Sequence, residues 1–171
     1  MLNDARDSMG AALLALNYSL NSSSPKEITE AGRLLKAQRR HAKAYRYINL
    51  GESSELINGS IHMTLGYNGD AMVLKAQLGS IDFFSPEART ELWADFIGVF
   101  ETGENKEAAF ISEELGTASS NLTAEEFMSA EHLSNPLIYP PKEVLERSEF
   151  LQPLSARATR MYNSIFNNIT R

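Results

Sequence analysis

Apolar residues recur along this chain with two different periods. Between residues 3 and 21, Met9, Leu13 and Leu16 keep helical spacing and Asp4 and Asp7 fall in the first turn. The pattern predicts a helix from about Asp4, ended by the Asn-Ser run after Leu20. A second helix is predicted from Pro25, with the stripe Ile28, Ala31, Leu34 and Leu35. Ser24 precedes Pro25 and Glu27 stands three residues after Ser24, the spacing of a capping box.

Period-two or short apolar runs then predict strands in AKAYRYIN (42–49), IHMTLGYN (61–68), SIDFFSP (80–86) and ELWADFIGVF (91–100). SSELINGS, closed by Asn58-Gly59, reads as one helical turn. GDAMVLKAQL (69–78) predicts a helix that starts in the Gly66–Gly69 turn. Further helices are expected in NKEAAFISEEL (105–115), TAEEFMSA (123–130), PKEVLERSEF (141–150) and LSARATRMYNSIFNNIT (154–170). SNPLIYPP (134–141), with Pro136, Pro140 and Pro141, suits an extended strut better than a core strand. Strands alternating with helices indicate an α/β layered fold.

Composition narrows the chemistry. The 171 residues, 43% of them hydrophobic, suffice for a sizeable core. With no Cys, disulfides, thiolate metal sites and Cys nucleophiles are excluded. Residues 1–50 carry eight Lys/Arg against four Asp/Glu, whereas residues 51–171 carry eight against eighteen. That acidic balance disfavours nucleic acid as a partner. The one basic run, Lys36 to Lys43, ends a helix, where cations complement the dipole. No apolar run is long enough to span a bilayer, so direct membrane insertion is not expected. The first ten residues carry early charges and lack the apolar core of a signal peptide.

His41, His62 and His132 have no ligand spacing, so no metal or cofactor is expected. No G-x-S-x-G elbow supports a triad, and GYNGD (66–70) lacks the lysine of a phosphate loop. Glu113-Glu114 and Glu125-Glu126 read as solvated helix faces. What remains is a set of carboxylates and aromatics at element ends. Asp4 and Asp7 share a helix face. Tyr67 closes a strand just before a helix, and Trp93 and Asp95 share a strand face. A carboxylate beside an indole needs a cation or donors to satisfy it, and an indole face attracts ammonium. Such a set suits an aliphatic chain bearing ammonium groups. The alternative is a core Trp with Asp95 capping a turn.

The ordered segments ARDSMGAALLALNYSLNSSSPKEITEAGRLL, INGSIHMTLGYNGDAMVLKAQ, ELWADF and SNPLIYPPKEVLERSEF together resemble the spermidine/putrescine-binding proteins of bacterial ABC importers. The resemblance implies a periplasmic-binding-protein-like α/β lobe with a mixed sheet, capture of a polyamine without catalysis, and delivery to ABC permease subunits. It implies ligand contacts at Asp4 and Asp7, at Tyr67, and at Trp93 and Asp95. It also brings in Thr117, where the family often has Tyr, and Gln152. Asp7 stands where Glu is common, and Tyr67 where Trp is common.

The resemblance divides the chain into a second-lobe core (1–94), a return segment of the first lobe (95–122) and a C-terminal helical segment packing back on the second lobe (123–171). The return segment looks shortened between NKEAAFI and SEELG, and the family's first lobe would lie upstream of Met1. The chain is therefore expected to be partial. An extracytoplasmic place is expected for the parent protein, although this chain shows no signal peptide. A truncated stand-alone interaction or sensor lobe is the other reading.

Overall fold

The computed structural model describes residues 1–87, 89–93, 118–119 and 125–171. Helix α1 spans Ala5–Ala15 and α2 spans Pro25–Gln38, followed by a 3-10 turn at Arg39–His41. Helix α3 spans Asn68–Gln77 and strand β1 spans Glu91–Leu92. Two short helices, α4 (Ala130–Ser134) and α5 (Lys142–Arg147), precede strand β2 (Glu149–Phe150) and the terminal helix α6 (Ala156–Thr170).

The core lies where α1, α2 and α6 meet. Met9, Ala12 and Leu13 of α1 pack with Ile28, Ala31 and Leu35 of α2 and with Ala158, Tyr162 and Ile169 of α6. All recur at helical spacing, so one apolar stripe per helix closes the cluster. Gly32 permits the closest approach: a Cβ placed there would lie 2.4 Å from Cγ2 of Ile165. Tyr162 crosses the cluster and donates its buried hydroxyl toward the carbonyl oxygens of Ser22 (2.9 Å) and Leu20 (3.2 Å).

Helix α1 stops earlier than its apolar pattern suggests. Asn17 takes φ 61, its N–H bonds the Leu14 carbonyl, and the Tyr18 N–H reaches back to the Leu13 carbonyl at 2.9 Å. This is a Schellman end, with asparagine as the left-handed residue. At the start of α2 the expected capping box is not made. Ser24 makes no side-chain cap bond, and Glu27 instead accepts from the hydroxyl of Ser22, which accepts from the Ser24 N–H.

The two described strands pair in parallel, Glu91 with Glu149 and Leu92 with Phe150. The N–H of Glu149 bonds the Thr90 carbonyl and that of Leu151 the Leu92 carbonyl. So the segment expected to be helical to Phe150 leaves the helix at Ser148 and enters the sheet. Segments 42–49, 61–68 and 80–86, expected as strands, form no ladder among the described residues. A strand needs a neighbouring strand for its N–H and C=O groups; in 42–49 Arg46 and Ala44 bond Met1, and Ala42 closes the turn on Arg39. The 134–141 strut holds a turn at Asn135 rather than running extended, and Leu137, Ile138 and Tyr139 all donate to that residue. Of 91–100, Glu91 and Leu92 are strand; residues 94–100, like the helix expected at 105–115, lie outside the described residues.

One side chain ties the loop after α1 to the sheet. The carboxylate of Glu149 accepts from the Ser19 hydroxyl, from the Leu20 N–H at 3.0 Å and from the Asn21 amide at 2.9 Å. Burial opposes its charge, but these donors outweigh it and hold the carboxyl below its usual range. Arg6 braces the same loop, donating to the carbonyls of Leu20 and Gln152 and to the side chain of Asn21 while lying over the Tyr162 ring.

Two outcomes test this packing. Gly32→Ala, despite alanine's higher helix propensity, should destabilise by about 1–3 kcal/mol in urea unfolding, because Cγ2 of the β-branched Ile165 occupies the space the new Cβ needs. Most of that loss should disappear in an Ile165→Ala background. Glu149→Ala, which leaves three donors facing no acceptor, should cost about 2–3 kcal/mol in the same measurement.

Candidate ammonium-binding site

Asp4 is the N-cap of α1. Its Oδ1 accepts from the N–H groups of Arg6 (2.7 Å) and Asp7 (3.0 Å), which fixes the helix start and commits that oxygen to the backbone. Asp7 sits in the first turn and points elsewhere: its Oδ2 accepts the hydroxyl of Tyr67 at 2.6 Å. Tyr67 has extended backbone and immediately precedes α3, whose Asn68 amide donates to the Leu137 carbonyl at 2.8 Å. The Tyr67 ring meets Trp93 edge to face, with centroids 5.0 Å apart and planes at 69°. Trp93, just past β1, is 41% exposed, so it is not a core tryptophan.

Sequence reasoning missed the fourth member. Glu91 opens β1 and lies against α1, with its Oε2 3.3 Å from where a Cβ on Gly10 would be. Gly10 is one turn beyond Asp7, so the same helix face presents both. The two acids are neighbours, and the charge of Asp7 bears on the Glu91 carboxyl. Two-residue alternation along ELWAD places Glu91 on the strand face of Trp93, and that signal would have found it.

The electrostatics of the pair are uneven. Burial, and next the charge of Asp7, push Glu91 up to about 7, with Arg6 opposing. Burial also raises Asp7; the Tyr67 hydroxyl pulls the other way and the charge of Asp4 adds to the rise. Tyr67 itself is raised strongly by burial and by its bond to Asp7, so the phenol stays a donor. Arg6, the nearest cation in sequence, spends its donors on the α1–α2 loop. Among the described residues no Lys or Arg forms an ion pair with Asp7 or Glu91.

The structure thus brings Asp7, Tyr67 and Trp93 together with Glu91, with Asp4 one turn away as a cap. Gln152 lies two residues past β2; its backbone N–H bonds Asn21. It lines a hollow of 190 Å³ with Arg6, Pro153, Leu154, Thr159, Tyr162 and Asn163, which the acid pair does not border. Asp95 and Thr117 lie outside the described residues. A half-buried acid pair beside two aromatic faces can hold an ammonium group by charge-assisted hydrogen bonds and cation–π attraction.

No family model matches the chain. Over 183 aligned residues it is 25% identical to the spermidine/putrescine-binding periplasmic protein of Escherichia coli (strain K12), covering 99% of this chain and 52% of that protein. It is 28% identical to the norspermidine sensor of Vibrio cholerae, again over 99% of this chain and 52% of the relative. Among solved structures, one from Listeria monocytogenes described as a spermidine/putrescine ABC transporter superposes with a TM-score of 0.76 at 21% identity. It covers 98% of this chain and 56% of the other. The substrate-binding protein of a spermidine/putrescine ABC transporter from Streptococcus pneumoniae gives a TM-score of 0.65 at 18% identity, covering 97% and 55%. The chain spans about half the length of the curated relatives it matches. In sequence it is similar to the spermidine/putrescine-binding periplasmic proteins, and its fold is that of the solved substrate-binding proteins across the matching half.

Proposed function

We propose that this chain captures polyamines of the putrescine and spermidine type for an ABC importer. In this reading it acts outside the cytoplasm, hands its ligand to permease subunits and performs no catalysis. Residues 1–94 supply the core of one lobe, 95–122 a return segment of the other, and 123–171 the helices that pack back. The observation that carries the reading is the Asp7–Glu91 pair, half-buried against Tyr67 and Trp93 with no ion-paired cation among the described residues. An isolated pair of ionised carboxylates in that position is unfavourable, and a ligand ammonium relieves it.

Within this reading Trp93 is the platform, contributing about 0.5–2 kcal/mol by cation–π attraction. Asp95 is the principal ammonium partner, Asp7 the partner of another amine, and Tyr67 a wall that also orients Asp7. Thr117, Gln152 and Asp4 are secondary contacts. A polyamine suits such a set because its charges are separated by methylene runs that lie along aromatic faces.

The likeness to the Vibrio cholerae norspermidine sensor favours a second reading, in which a lobe of this kind reports polyamine to a receptor rather than to an importer. Binding chemistry is shared by the two readings; the partner differs.

Trp93 is the only tryptophan of the chain, which makes emission a direct probe. Putrescine and spermidine titrations should shift and change its emission to saturation, and Asp95→Ala should abolish the change. A signal flat to every polyamine would overturn ligand capture by this chain. Tyr67→Phe should keep the aromatic wall yet weaken binding by about 3–10-fold in the same titration, since the phenol no longer holds Asp7 in place.

A further inference from the structure

Three arginines are half-buried among the described residues: Arg6, Arg89 and Arg147. A guanidinium drawn out of water needs acceptors for its N–H donors. Arg6 finds them at Leu20, Asn21 and Gln152. Arg89 and Arg147 do not: among the described residues neither forms a hydrogen bond or an ion pair. Nε of Arg147 is sealed from solvent as well, and it has no partner. A buried donor left in that state calls for an acceptor.

Both side chains line one hollow of 340 Å³, together with Glu146, Ser148 and Glu149. Arg89 stands two residues before β1 and Arg147 two before β2, so the parallel register brings them to the same end of the ladder. None of Asp7, Tyr67, Glu91 or Trp93 borders the hollow. Its own acids are engaged elsewhere. Glu149 accepts from Ser19, Leu20 and Asn21, and Glu146 pairs with Lys142 at 3.3 Å. Arg89, Arg147 and Lys142 against Glu146 and Glu149 leave one positive charge in excess. The carbonyls that end a helix disfavour an anion. Here Ser148 covers two of them, its hydroxyl donating to Val144 at 2.5 Å and its N–H to Leu145 at 3.1 Å.

We propose that Arg89 and Arg147 form a binding site for a small oxyanion of the phosphate type, separate from the acid pair. Two planar guanidinium forks suit a tetrahedral group with several acceptor oxygens, whereas a halide offers no such match. The bound anion fastens the run into β1 to the end of α5, and so stabilises the ladder that carries Glu91 and Trp93.

Calorimetric titration of the full chain with inorganic phosphate, in Tris-chloride without polyamine, should saturate at a single phosphate per chain. Sulfate should compete for the site, and phosphate should raise the melting temperature above that in chloride of equal ionic strength. Arg147→Gln and Arg89→Gln should each weaken binding about tenfold or more. Arg89→Lys keeps the charge without the fork and should restore only part of the loss, which separates recognition from misfolding. Heats that never saturate, or that chloride reproduces at equal ionic strength, overturn the site and leave charge screening alone. Saturable binding unchanged in both glutamine variants overturns its assignment to this hollow.

Discussion

The geometry of the site depends on the carboxylate of Glu149. Three donors from Ser19, Leu20 and Asn21 converge on it, so the loop leaving α1 is fastened to β2. β2 in turn sets the register of β1, because a two-residue parallel ladder has no other neighbour among the described residues. A ladder that short is marginal alone and persists only when packing holds it. Arg6 completes the brace from α1 to the same loop and to the end of β2. Glu91 is thereby delivered to Gly10 and Asp7, and Trp93 to Tyr67.

That bracing divides four acids into two kinds. Asp4 and Glu149 are satisfied by backbone and side-chain donors and act as fasteners. Among the described residues Asp7 receives one phenol hydroxyl, and Glu91 lies beside it with no ion-paired Lys or Arg. The three-helix core explains why the arrangement is tolerable. Met9 and Leu13 of α1 are fully buried against Ile28 of α2 and Tyr162 of α6, and this packing anchors the helix that carries Asp7.

Much of this was legible in the chain itself. The helices α1, α2, α3 and α6 follow from apolar stripes and cap signals, since a buried face of period 3.6 has few other solutions. Asp7, Tyr67 and Trp93 were singled out as acids and aromatics at element ends, and they meet. The short strands were less legible. Segments 42–49, 61–68 and 80–86 have strand-like composition but find no ladder partner among the described residues, and Glu149-Phe150 looked like the tail of a helix. Pairing is non-local, so β-rich composition alone does not reveal it.

The residue pattern by itself determined the helical core, the acidic balance and the placing of acids and aromatics at element ends, because periodicity and charge are local properties. Tertiary structure alone decided that Glu149 is a fastener and that Glu91, identical in chemistry and paired with it across the ladder, is left facing Asp7. The difference lies in which donors each carboxylate meets: a loop more than a hundred residues distant for Glu149, another acid for Glu91. A carboxyl's proton affinity is set by those neighbours and by burial, neither of which is written at its own position in the chain.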